Sequence, residues 1–128
     1  MRVLPLTFMV GLLAGCAASA PAPVPHVVVF FPEWSAAIDA AAGRAIDGAA
    51  RAAHAAPAQS VVVTGFADPA GSRKANLDLS RLRAQVVIDR LEADGVAAAR
   101  IRRAAAGPTS FALSAQESRR VEISVGTP

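Results

Sequence analysis

The residues most able to bind a charged ligand lie between residues 65 and 84. Asp68 stands in a short loop after an apolar run, and Arg83 follows it at an interval of 15 residues. Ligand sites in sheets covered by helices tend to lie where strands end. The start of the following helix, expected around 76–80, would add unpaired backbone N–H groups that favour an anion. A carboxylate and a guanidinium there would suit a zwitterion, with its ammonium on Asp68 and its carboxylate on Arg83.

The same stretch offers little to an enzyme. Asp68 precedes Pro69, and by itself this pair is also typical of a turn. Asp78 is the only nearby acid that could complete a glycosidase pair, and an Asp at a helix start more often caps the helix. Nucleophile-elbow, phosphate-loop and dinucleotide glycine patterns are absent. An enzyme is therefore not expected from these residues.

Composition excludes several other classes. One Cys and two His leave no pattern for a disulfide framework or a metal site. The formal charge of +3 is too small for a nucleic-acid surface, so no nucleic-acid partner is expected. Alanine accounts for much of the 53% hydrophobic content, so few larger apolar side chains remain to build a core. Their number suits one small two-layer domain.

Periodicity predicts an α+β fold with the order β-α-β-α-β-β. Apolar or alternating runs predict strands at 27–31, 60–66, 101–106 and 119–125. A first helix is expected from a Ser35 cap to about Ala55, and a second over 78–94. The expected architecture is a two-layer sandwich, with a mixed four-stranded sheet and both helices on one face. The predicted buried stripe of the second helix consists of Leu79, Leu82, Val86, Val87 and Leu91.

The N-terminus predicts export and lipidation. An apolar run of signal-peptide length ends in Leu13-Ala14-Gly15-Cys16, which resembles the lipobox of bacterial lipoproteins. The resemblance implies a signal peptide over 1–15 and acylation, such as palmitate, on Cys16. The alternative is a plain secretory signal with an incidental Cys. Ala17, in place of Asp, implies sorting to the cell outer membrane, with the domain facing the periplasm.

An Ala/Pro-rich linker, 16–25, separates this anchor from a domain over 26–128. Its alternating prolines favour polyproline II, whose rise is about 3.1 Å per residue. The nine residues after Cys16 therefore form a short tether of roughly 28 Å at full extension.

Three motifs over residues 27–125 resemble the OmpA-like peptidoglycan-binding domain. The family has a Gly-His-Thr-Asp loop, an Asn-x-x-Leu-Ser-x-x-Arg-Ala helix and an Asn-Arg-Arg-Val strand. This chain has the corresponding segments Gly65–Asp68, Asn76–Ala84 and Ser118–Val121. It departs from the pattern at Phe66 and Ala67, which replace the loop His and Thr, and at Ser118.

The resemblance implies noncovalent binding of peptidoglycan through the diaminopimelate of its stem peptide. By that resemblance, Asp68 takes the ammonium and Arg83 the carboxylate. Asn76 shapes the loop, and Arg119 or Arg120 lies at the edge of the site. The family binds without a cofactor, and no metal is expected.

An alternative is that the fold is kept but the pocket is degraded by Phe66 and Ala67. The protein would then be a periplasmic interaction adaptor whose partner is another envelope protein. An exposed apolar patch around Phe66 or Trp34 would favour this alternative. A wall hydrolase is a third hypothesis, which turnover of isolated cell wall would test.

Overall fold

The structure is a computed structural model that describes residues 23–66, 71–104 and 118–126. Along these ranges the order is β-α-β-α-β-β, as the sequence predicts. The elements are β1 (His26–Phe30), α1 (Ala40–Ala55), β2 (Val61–Gly65), α2 (Arg73–Ala93), β3 (Ile101–Ala104) and β4 (Arg120–Val125). A single 3-10 turn, Ala98–Arg100, leads into β3.

The four strands form one mixed sheet in the order β1-β4-β2-β3. The last strand lies inside the sheet, antiparallel to both β1 and β2, while β3 pairs in parallel with β2 at one edge. Within β4, Val121, Ile123 and Val125 are buried between polar neighbours, so one face of this inner strand packs on the core. The α+β architecture is confirmed.

The core lies between the helices and one face of the sheet. Val29 of β1 and Val61 and Val63 of β2 share this core with Ile46 of α1 and Leu91 of α2, and none of the five is more than 1% exposed. Alanines fill most of the buried face of α1, and their small side chains let this helix lie close to the sheet. Gly65 allows a similar approach by α2, since a Cβ built there would lie 2.5 Å from the backbone oxygen of Ser80. The end of β2 is therefore pressed directly against α2.

Both helices start elsewhere than the sequence predicts. Helix α1 starts at Ala40, and the side chain of Asp39 caps it by accepting from the Ala42 N–H at 2.8 Å. Ser35 instead accepts from Ala37 in a local turn. Helix α2 starts at Arg73 rather than Asp78, and its first turn is polar, so hydrophobic periodicity gave no signal of it.

The predicted buried stripe of α2 is partly wrong. Leu82 is 52% exposed, whereas Ala84, Val87, Ile88 and Leu91 face the core. The same face continues toward the helix start through three polar residues, Asn76, Ser80 and Arg83. Because these buried positions are polar, the sequence pattern placed the stripe on neighbouring leucines. In the described ranges, no helix has the length and apolarity needed to cross a bilayer.

Two leucines of α2 provide a matched test of this packing. Leu91→Ala should lower the free energy of unfolding by about 2–5 kcal/mol, because it leaves a cavity in the core. Leu82→Ala should change it by no more than about 0.5 kcal/mol, since the side chain is largely in solvent. Urea unfolding followed by circular dichroism measures both. Equal losses in the two variants would contradict the assigned face.

Candidate binding site

A pocket of about 230 Å³ opens where α2, the loop after β1 and the residue before β4 meet. Three of the residues that the sequence singled out line it together: Asn76, Arg83 and Arg119. The other lining residues are Glu33, Trp34, Gly71 and Leu79. The pocket thus combines two guanidinium groups, an amide, one carboxylate and an indole.

Arg83 is buried at the middle of α2, with 3% of its surface exposed. Its Nε donates to the carbonyl of Ser35 at 2.7 Å, and its Nη2 donates to the carbonyl of Pro32 at 2.9 Å. Its guanidinium carbon also lies 5.5 Å from the centroid of the Phe31 ring. Arg83 therefore braces the loop between β1 and α1, besides lining the pocket.

The electrostatics of the pocket favour an anion. Burial lowers the pKa of Arg83, and the neighbouring charge of Arg119 lowers it further. Within the described part of the chain, neither arginine forms an ion pair with a carboxylate. Arg83 still carries its charge at neutral pH, because guanidinium groups do not lose it in proteins. A carboxylate bound between the two arginines would offset their mutual repulsion.

Arg119 directly precedes β4, and a backbone hydrogen bond to β-structure fixes its main-chain position. Its carbonyl accepts from the Phe31 N–H at 2.9 Å, which extends the pairing of β1 and β4 beyond the strand ends. The Nε of Arg119 is buried without a hydrogen-bond partner in the described ranges, and such donors are rare in folded proteins. This side chain therefore keeps hydrogen-bonding capacity beside the pocket.

Asn76 lies in the first turn of α2 and is 7% exposed. Its own N–H already donates to the carbonyl of Ser72 at 3.0 Å. The expectation that residues 76–80 offer unpaired N–H groups is therefore wrong, since the helix starts earlier. Gly71, at φ 84°, brings the chain into the helix beside the Asn76 amide.

Arg119 and Arg120 have different environments. Arg120 lies over the ring of Phe66, with 3.9 Å between the guanidinium carbon and the ring centroid. Its Nε donates to Glu122 at 2.8 Å, and Arg120 is not among the pocket residues. Adjacent strand residues point to opposite faces of a sheet, so Arg120 and Glu122 share the face away from the buried Val121. Phe66 does not line the pocket either.

Two other predicted site residues, Asp68 and Cys16, lie outside the described residues, as does Ala67. The pairing of Asp68 with Arg83 therefore stays a prediction. Asp78 lies on the exposed surface, where the hydrogen bond from Lys74 at 2.7 Å lowers its pKa. It neither caps α2 nor lines the pocket. In the ranges that the structure describes, no cluster of His, Cys, Asp and Glu could hold a metal.

Two pocket residues, Glu33 and Trp34, were not among the predicted site residues. Trp34 was expected to be exposed or to pack under the first strand rather than to stack on a ligand, and Glu33 was not singled out. Both lie in the loop that Arg83 braces, so their position depends on a contact between distant parts of the chain. The one available signal was the position of the only Trp, two residues after the proline that ends the first predicted strand.

The brace gives a stability prediction. Arg83→Ala should lower the free energy of unfolding by about 1–3 kcal/mol, because two loop carbonyls lose their buried donors. Arg81→Ala is the control on the same helix, and its exposed side chain should change stability by less than about 0.5 kcal/mol. Thermal and urea unfolding measure both. A wild-type stability for Arg83→Ala would show that the brace contributes nothing.

Comparisons with solved structures give the same fold. The peptidoglycan-associated lipoprotein of Burkholderia pseudomallei is 21% identical, with a TM-score of 0.67 over 77% of this chain and 89% of that one. The OmpA-like domain of FopA1 from Francisella tularensis is 26% identical, with a TM-score of 0.69 over 80% and 72%. The periplasmic domain of Helicobacter pylori MotB is 24% identical, with a TM-score of 0.61 over 77% and 70%.

No curated protein sequence gives a significant match. The model of the OmpA family, in contrast, matches residues 30–122, which include β2, both helices and the pocket residues. The chain belongs to the OmpA family.

Proposed function

We propose that this protein is a lipid-anchored envelope protein that binds peptidoglycan noncovalently, through the diaminopimelate of the stem peptide. The observation that carries the proposal is the pair Arg83 and Arg119 in one pocket, without a carboxylate partner among the described residues. Membership of the OmpA family supports it, and so does the fold shared with a peptidoglycan-associated lipoprotein. No chemical step is needed, since the pocket offers charges and hydrogen bonds to hold a ligand.

The two arginines would contribute to ligand binding in different ways. Arg83 uses two of its N–H donors on the loop and contributes mainly its charge to the pocket. Arg119 lines the pocket and forms no ion pair among the described residues, so its guanidinium is the better direct ligand of a carboxylate. Asn76 would add an amide at the rim.

Asp68 would hold the ammonium at the other end of the same amino acid. The described chain resumes at Gly71, which lines the pocket. Three residues span at most about 10 Å, so chain length permits the Asp68 carboxylate to reach the ligand. The zwitterion would then lie between one carboxylate and two guanidinium groups.

The anchor completes the proposal. Cleavage after residue 15 and acylation of Cys16 would hold the protein at the outer membrane, because each buried acyl CH₂ contributes about 0.8 kcal/mol. The linker 16–25 would leave the domain, which starts with β1 at His26, close to the periplasmic surface of the membrane. The protein would tether the envelope to the cell wall.

Binding is tested by sedimentation of the unacylated mature chain with purified sacculi. Asp68→Ala and Arg119→Ala should each weaken binding at least tenfold, because loss of one charge leaves its counterpart unpaired. Arg102→Ala is a control at an exposed arginine of β3, and it should bind as the wild type does. Thermal unfolding confirms that each variant is folded.

Wild-type binding by both Asp68→Ala and Arg119→Ala would refute the assigned site. Arg83→Ala is a poor substitute in this experiment, because its loss of stability would be confused with loss of binding. The same sacculi, analysed for released fragments, should show no turnover, and release would indicate a hydrolase.

Anchoring is tested in cells. Cys16→Ser should remove the protein from the outer-membrane fraction and abolish labelling with palmitate, because it removes the acylated thiol. Ser19→Ala, in the same linker, should leave both unchanged. Outer-membrane localisation of the unlabelled Cys16→Ser protein would contradict a lipid anchor.

The periplasmic adaptor remains the second candidate, and one observation favours it. Trp34 is 68% exposed, and an exposed large apolar side chain can mark a protein contact. Phe66 adds less to such a patch than the sequence suggested, because Arg120 covers its ring. Crosslinking in intact cells that captures one protein partner, without any binding to sacculi, would replace the first proposal with this one.

A further inference from the structure

The backbone beside the pocket has an unusual conformation at Trp34. Its φ is 52°, in the left-handed region, and it is the only non-glycine residue of the described ranges with a positive φ. L-residues with large side chains rarely adopt this conformation, because the Cβ crowds the backbone. A strained residue that is also 68% exposed gains little from packing in the core. Such strain is more often retained where a side chain contacts a ligand.

The fold holds this residue in place beside the two arginines. The Ser35 N–H donates to the carbonyl of Pro32 at 3.3 Å and closes a turn around Glu33 and Trp34. Arg83 donates to the carbonyls at both ends of the same turn. The backbone that carries the indole is thus ordered before any ligand arrives, and this lowers the entropy that binding must offset.

The pocket is too small for a whole peptidoglycan fragment. Its volume of about 230 Å³ lies below the range of about 300–1,000 Å³ that is usual for small-molecule sites. It can take the charged end of one amino acid, and the rest of the ligand must cross the rim. Glu33 and Trp34 form part of that rim and are both exposed.

We propose that Trp34 is a stacking platform for a pyranose ring of the glycan strand, next to the pocket that binds the stem-peptide carboxylate. The inference rests on the proposed function and adds a sugar subsite to it. An exposed indole suits an amphipathic ring, because the C–H face of the sugar contacts the aromatic face while its hydroxyls stay in water. Trp also supplies a large contact area with only two rotatable side-chain bonds. The adjacent Glu33 carboxylate offers an acceptor for a sugar hydroxyl or amide.

The test uses the tryptophan itself, since Trp34 is the only Trp and the chain has no Tyr. The unacylated mature chain is titrated with a disaccharide–peptide fragment of peptidoglycan and with the same peptide lacking the sugars. The wild type should bind the disaccharide–peptide about tenfold more tightly, as expected for one aromatic stack. Tryptophan emission should shift with the sugar-bearing ligand and change little with the peptide.

Calorimetry extends the test to variants. Trp34→Gly removes the indole and accepts a positive φ without strain, so the turn is kept. It should bind both ligands with equal affinity, so that the preference of the wild type for the sugar-bearing ligand is lost. Trp34→Phe should recover most of the preference for the sugar-bearing ligand.

The outcomes separate this inference from the function on which it rests. Equal affinities of the wild type for the two ligands, or an undiminished preference in Trp34→Gly, would overturn the stacking platform and leave peptidoglycan binding intact. Failure of the wild type to bind either ligand or sacculi would overturn both.

Discussion

The buried guanidinium of Arg83 is the contact on which the rest of the site depends. Taking this charge out of water costs free energy, and the two loop carbonyls and the ring of Phe31 offset part of that cost. In return the contact joins the middle of α2 to the turn that follows β1. It sets one wall of the pocket, fixes Trp34, and places a positive charge where burial strengthens its attraction for an anion.

The contact between Arg83 and the loop requires α2 to lie at a definite distance from the sheet. Gly65 ends β2 with no side chain, so the backbone around Ser80 can lie directly against it. Ser80 is fully buried, and its hydroxyl donates to the carbonyl of Leu77 at 2.8 Å, which satisfies it within the helix. Arg83 follows on the same buried face of α2. A larger residue at 65 would displace the helix, and the guanidinium with it.

Arg119, which precedes β4, and Arg120, which begins it, have different roles. Arg120 is matched by Glu122 and covers Phe66, so its charge is largely balanced by its neighbours. Arg119 lines the pocket, where its charge lies near that of Arg83 and forms no ion pair among the described residues. The two arginines are adjacent in sequence but have different roles, because neighbouring side chains of an extended backbone point to opposite faces of the sheet.

The sequence alone determined the element order, the α+β class and the alternation that buries Val121, Ile123 and Val125. Through the resemblance to a family motif it also gave the candidate residues Asn76 and Arg83, and Arg119 or Arg120 without a choice between them. These follow from local periodicity and from motif spacing, which are properties of neighbouring residues. The prediction from sequence misplaced the start of α2 and assigned Leu82 to the buried face of the helix. The reason is that a polar first turn and polar buried positions leave no hydrophobic period to detect. Only the tertiary structure decided that Arg83 braces the loop, that Trp34 and Glu33 line the pocket, and that Arg119 rather than Arg120 joins them. The carbonyls that Arg83 binds lie 48 and 51 residues away in the chain, and a contact at that separation is set by how α2 packs on the sheet.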